Sequence, residues 1–154
     1  TTMSDEVVEG IFTTITKAFL ENDLGVGELV PMAAPLVQAT LGLYTRTCDV
    51  LRPMPSKPHY TFNLREISKV IQGVLMADKR RTTSRDALAH LWAHECQRVF
   101  SDRLINDEDR SWFLQEVKIQ MKEHLKLVYE KILDTSRPLL YCDFFTAGSD
   151  PPIY

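Results

Sequence analysis

Residues Pro53 to Gly73 read PMPSKPHYTFNLREISKVIQG, and they decide how the rest of the chain is parsed. Pro53, Pro55 and Pro58 forbid a helix and set an extended connector, because each fixes its own φ and restricts the residue before it. The stretch lacks glycine until Gly73 and it is short, which describes a strapped-down loop and not a free linker. Asn63 then opens a helix expected to run to about Met76. Asn63 and Glu66 have the spacing of a capping box, in which each side chain satisfies a backbone amide of the other. Leu64, Ile67, Val70, Ile71 and Leu75 recur at helical spacing and are expected to face a core.

Working toward the N-terminus, Val37, Thr40, Leu41, Tyr44, Cys48 and Leu51 give the expected buried face of a helix that follows Pro31 and Pro35. Both prolines are tolerable in a first turn, where their missing amides cost nothing. Val8, Ile11, Phe12, Ile15, Ala18 and Phe19 put a stripe on a first helix from about Asp5 to Glu21. Ser4 is its expected N-cap, and Gly25 and Gly27 mark its end. Toward the C-terminus, Thr82, Thr83 and Ser84 offer caps for a helix to about Leu104. Its inward residues are Leu88, Leu91, Trp92, Val99 and Phe100, and Cys96 reads as a small core residue. Asn106 caps a fifth helix, with Asp107, Glu108 and Asp109 in its first turn, where the helix dipole favours anions. Leu114, Val117, Met121, Leu125, Val128 and Ile132 carry its stripe to about Leu133. After Arg137-Pro138 the pattern stops at an apolar cluster, Leu139, Leu140, Tyr141, Phe144 and Phe145, expected to be loosely ordered. The fold class is therefore all-α, a bundle of about five helices with an irregular C-terminal tail.

Bulk properties fit this reading. The 154 residues are 44% hydrophobic and 25% charged, ordinary for a packed domain. A net charge of -3 argues against a nucleic-acid partner, and no apolar run approaches the roughly 20 residues that span a bilayer, so no membrane partner is expected. The chain starts with Thr1, reaches Met3 only later and has no signal-peptide pattern, so it reads as an excised piece of a longer protein. Cys48, Cys96 and Cys142 are far apart and form no CxxC pair, so neither a disulfide framework nor a zinc site is suggested.

Several residues are candidates for chemistry. The glycines, at 10, 25, 27, 42, 73 and 148, begin no GxxxxGK[ST] run, and no apolar strand ends in paired acids, so the chain holds no complete nucleotide site. His90 and His94 have the i,i+4 spacing of metal ligands, but HLWAHE is not HExxH; they are expected at the flank of their helix, and no metal site is assigned. Lys79, Arg80 and Arg81 read as a solvated loop. Arg65 is the unusual residue: it sits in a first turn, where the dipole disfavours a cation. It either pairs with an acid or points to water, or, beside unpaired first-turn amides, it forms an anion site. The residues alone leave both readings open.

HYTFNLREISKVIQG resembles the lid subdomain of the third AAA+ module of dynein heavy chains, above all the axonemal ones, whose pattern runs like LPTPSKxHYxFNLRDxSRVxQG. LWAHECQRVFSDRLINDEDRSWF resembles the next helix of that family and the start of the one after, and RPLLYCDFF is similar to the run leading into the fourth module. Arg52, Met54 and Glu66 depart from the pattern, Glu66 without loss of the capping role. The resemblance implies that residues 1–136 form a helical lid and that 137–154 link it to the next module. It implies that Arg65 is the sensor-2-like arginine facing the nucleotide, with Asn63 and Glu66 fixing the helix start that aims it. It also implies a non-catalytic chain that binds no cofactor alone, within an ATP-driven motor that uses ATP or ADP with Mg. The implied partners are neighbouring AAA+ modules, the microtubule, and dynein intermediate and light chains, and the implied location is the cytoplasm, the cytoskeleton and the axoneme of a cilium or flagellum. Two alternatives stand beside it: a standalone helical protein-interaction domain, and the lid of another AAA+ machine such as a transcription activator, whose expected helix-turn-helix is missing from the tail.

Overall fold

A computed structural model describes residues 4–133, and the apolar cluster of the tail lies outside them. The described residues contain helices and no strand, in agreement with the all-α expectation. Helix α1 spans Asp5–Ala18 and runs on into a π-helical turn, Phe19–Leu24, that ends at Gly25 with φ 67°. That left-handed conformation is open to glycine at no steric cost, so Gly25 is where the first helix can stop. Ser4 occupies the cap position with extended backbone, but its side chain accepts no capping hydrogen bond; its carbonyl accepts from the amides of Val7 and Val8. A 3-10 turn, Gly27–Met32, contains Pro31 and leads into α2, Ala33–Val50. Helix α3 is Leu64–Val74 and α4 is Arg85–Phe100, capped by the Ser84 hydroxyl on the Ala87 amide. A 3-10 corner, Ser101–Arg103, precedes α5, Asp107–Gln120, which is capped by the Asn106 side chain on the Asp109 amide.

Packing pairs α1 with α2 and α3 with α4, while α2 also lies against α5 and the turn that follows it. Trp92 of α4 is fully buried at the centre, and its Nε1 donates to the Thr40 hydroxyl of α2 at 2.9 Å. Thr40 in turn donates to the Leu36 carbonyl at 2.8 Å, so the polar edge of the indole is satisfied inside the core. Phe62, Phe100 and Phe113 continue the core as a tilted aromatic row, with centroids 5.8 and 5.7 Å apart. At Gly73, α3 and α4 approach so closely that a Cβ would collide with the buried Glu95 carboxylate, to which Arg98 donates at 2.6 Å.

Several expectations are corrected. Leu64 does not face the core: it is 38% exposed, at the first position of α3. Ile11 and Ile15 of the expected stripe are also exposed; α1 buries Val8, as expected, and Thr16, which the stripe did not include. His94 is not at the flank of α4 but 5% exposed, since α4 is enclosed along nearly its whole length. The fifth helix is not continuous. It widens into a π-helical turn, Met121–Leu125, and stops at Lys126, which takes φ 57°. The Lys126 and Leu127 amides both reach back to the Met121 carbonyl, and Arg85 donates to the Leu125 carbonyl at 3.2 Å. A short α6, Tyr129–Ile132, follows. It is anchored by Gln97 donating to the Tyr129 hydroxyl at 3.0 Å and by the Lys118–Glu130 pair at 2.8 Å. Val128, assigned to the stripe, is 42% exposed, and Tyr129 takes the buried place.

Candidate functional site at the start of helix α3

Three of the residues singled out in the sequence meet where the proline connector becomes α3. Asn63 has extended backbone, and its Oδ1 accepts from the Arg65 amide at 2.8 Å. Glu66 Oε2 accepts from the Asn63 amide at 2.8 Å, completing the capping box. The Glu66 amide donates to the Asn63 carbonyl at 3.0 Å. The first-turn amides of Arg65 and Glu66 are thus already spoken for, which corrects the picture of an arginine beside unpaired donors. What this helix start offers an anion is the Arg65 guanidinium. Arg65 is exposed and, among the described residues, makes no ion pair.

Glu66 is 3% exposed and carries more than the cap. Its Oε1 accepts from Arg103 Nη2 at 3.0 Å and lies 3.7 Å from Lys69 Nζ. Burial pushes the Glu66 carboxyl up, but the Asn63 amide and the Arg103 guanidinium outweigh it, and the group sits below its ordinary value of 4.5. Arg103 also donates through Nη1 to the Thr61 carbonyl at 3.2 Å and stacks its guanidinium over Phe62 at 5.3 Å. Lys69, Arg98, Asp102 and Arg103 border an adjacent cleft of about 350 Å³. The carboxylates of Glu66, Glu95 and Asp102 balance its three cations, so the cleft presents no surplus positive charge.

The connector is as tightly held as its sequence suggests. Tyr60 is 1% exposed; its hydroxyl accepts from the Ile105 amide at 2.9 Å and donates to Asp109 Oδ2 at 2.9 Å. Lys57 pairs with the same carboxylate. On the other side of the helix start, Leu64 joins Val8, Ile11 and Phe12 of α1 around a wholly apolar hollow of about 190 Å³.

The remaining candidates do not join this site. His90 and His94 lie on α4, and burial lowers the His90 imidazole below its ordinary value, with His94 adding to the effect. Cys96 is fully buried, which pushes its thiol well up. The Lys79–Arg81 run is a turn, in which Arg80 pairs with Asp78 at 3.0 Å. The residue that sequence reasoning missed is Arg103. Its partner lies 37 positions away, a separation that no periodicity or capping rule reaches.

Comparisons with known proteins point to one family. Residues 15–110 match the family described as dynein heavy chain, ATPase lid domain. Over 138 residues, 90% of the chain, it is 44% identical to dynein axonemal heavy chain 1 of Rattus norvegicus. Over 134 residues, 87% of the chain, it is 40% identical to dynein axonemal heavy chain 12 of the same species. Over 158 aligned positions and the whole chain, it is 31% identical to the dynein-1-beta heavy chain of the flagellar inner arm I1 complex of Chlamydomonas reinhardtii. The chain spans only 3–4% of the length of these relatives. A helical bundle whose third helix is launched by a capping box inside the matched region, with axonemal heavy chains as its relatives, belongs to the dynein heavy-chain ATPase lid family.

Proposed function

We propose that this chain is the non-catalytic lid of the third AAA+ module of an axonemal dynein motor, and that it closes over the nucleotide bound there. Arg65 is the residue that meets the terminal phosphate. The observation that carries this reading is the exposed Arg65 guanidinium on a rigidly capped helix start, with no carboxylate among the described residues to neutralise it. ATP or ADP with Mg, held by the rest of the parent motor, supplies the phosphate charge. The chain's own contribution is one oriented cation, a contact worth about 1.5–3 kcal/mol. That is enough to bias a lid between two orientations and too little to retain nucleotide unaided. The apolar hollow at Leu64, Ile11 and Phe12 is covered by the large subdomain of the same module, so closure at Arg65 and packing at Leu64 occur together. As a rigid body the lid relays the nucleotide state to the neighbouring module. It thereby contributes to gating microtubule release in ciliary movement, in a motor that also carries intermediate and light chains and works in the axoneme.

The test is Arg65→Ala in a motor containing the complete third module. Nucleotide affinity at that module is expected to fall about tenfold or more, with folding intact and microtubule release less responsive to nucleotide. Unchanged affinity and unchanged gating would remove Arg65 from the mechanism. The 154-residue chain itself should show no ATPase activity and no saturable ATP binding below millimolar concentration.

A further inference from the structure

We propose that Arg103 is a positioning residue for Arg65, through which the corner between α4 and α5 and the nucleotide-facing start of α3 move as one piece. The inference rests on the assignment of Arg65 to nucleotide made above. Its basis is a continuous set of bonds. Arg103 donates to Glu66 Oε1 at 3.0 Å. Glu66 Oε2 accepts from the Asn63 amide at 2.8 Å, and Asn63 Oδ1 accepts from the Arg65 amide at 2.8 Å. The second arm of the Arg103 fork, on the Thr61 carbonyl at 3.2 Å, holds the chain on the near side of Asn63, so the capping residue is gripped from before and behind. The Phe62 ring under the guanidinium fixes the plane of that fork.

This arrangement needs arginine in particular. A rigid planar group with donors along two directions can bridge Thr61 and Glu66 while lying flat on a ring, and a lysine ammonium cannot. The corner holds the connector a second time, through the Ile105 amide on the Tyr60 hydroxyl at 2.9 Å. A displacement of residues 101–105 is therefore passed to the backbone of Arg65 without a soft joint between them. A merely structural Arg103, present to neutralise the buried Glu66, would contribute to stability and leave nucleotide affinity independent of its fork.

The experiment uses the complete parent motor and compares Arg65→Ala, Arg103→Lys, Glu66→Gln and the double variant Arg65→Ala/Arg103→Lys. A fluorescent, non-hydrolysable ATP analogue reads affinity at the site this lid closes, and the melting temperature is followed in parallel. Arg103→Lys keeps the charge and loses the fork. Glu66→Gln keeps a capping side chain at the same helix position and loses the charged partner. Arg103→Lys and Glu66→Gln are each expected to weaken the analogue about three- to tenfold, within the range of coupling in one hydrogen-bonded network, and Arg65→Ala about tenfold or more. The double variant should bind no more weakly than Arg65→Ala alone. Unchanged affinity in both Arg103→Lys and Glu66→Gln, beside a weakened Arg65→Ala, overturns the positioning role and leaves the reading of Arg65 standing. A double variant whose losses simply multiply overturns it as well. Unchanged affinity in Arg65→Ala overturns the assignment of Arg65, and the positioning role with it.

Discussion

Two stretches of this lid, one irregular and one periodic, differ in how the fold holds them. The connector from Pro53 to Phe62 has three prolines and no helical period, yet Lys57, Tyr60, Thr61 and Phe62 are all tied to residues 103–109. The stretch from Leu114 to Ile132 has an unbroken helical period, yet it widens at Met121 and breaks at Lys126. Regularity and fixity are separate properties. A backbone with no more than turn hydrogen bonds becomes rigid when its side chains reach partners in the core, and a periodic segment yields when tertiary contacts beyond the break outweigh the next turn of helix. Here those contacts are the buried Tyr129, its bond from Gln97 and the Lys118–Glu130 pair.

The strongest way to break the first half of that contrast is at Tyr60. Tyr60→Ala is expected to cost about 3–5 kcal/mol of unfolding free energy, as for other buried aromatics. Tyr60→Phe should cost about 1–3 kcal/mol, because it leaves the Ile105 amide without its acceptor. Urea unfolding of the chain measures both; a loss below about 1 kcal/mol for Tyr60→Ala would mean that the connector is held elsewhere.

The second half is sharpened by a change whose sign decides the matter. Lys126 has φ 57°, a conformation costing a residue with a Cβ about 1–2 kcal/mol, so Lys126→Gly should stabilise the fold by up to about 1 kcal/mol. A helix continuous through this position would instead lose about 1 kcal/mol on the same substitution. Comparison of the urea midpoints distinguishes the two.

The smallest effect is a pH dependence at the end of the connector. The Glu66 carboxyl is held below 4.5 in the folded chain, so its contribution is fully present above the ordinary value and is lost as the pH falls through the lower, folded one. The wild-type chain should therefore lose more stability below pH 4.5 than Glu66→Gln does. Equal acid slopes in the two proteins would show that Glu66 does not gain on folding.

How far these features could be read in advance follows from the distance over which each acts. Ser84, Asn106 and the Asn63–Glu66 box are local devices that satisfy amides two or three residues away, and they stand where their residue types put them. Trp92, Leu88 and Phe100 follow from helical period, since α4 has neighbours on more than one side and its large apolar residues have nowhere else to go. That same enclosure buries His94, which a single-stripe picture leaves at the edge. Leu64 misleads for another reason: its period matches the stripe of α3, but its place is the first residue after the cap, where the helix has not yet met its partner. The availability of the Arg65 guanidinium depends on which acids lie near it in space, and the choice of Arg103 as partner of Glu66 depends on a chain reversal through the whole of α4. Neither is written in any local pattern.

The burial of Trp92 also has an optical consequence. The chain has two tryptophans, Trp92 with its indole fully enclosed and Trp112 only partly covered. The first should emit at shorter wavelength and be sheltered from a dissolved quencher, and the second should be the one a quencher reaches. Because the Trp92 nitrogen is bonded to Thr40 across the α2–α4 contact, its emission is a native gauge of whether those two helices stay seated, readable without attaching any dye.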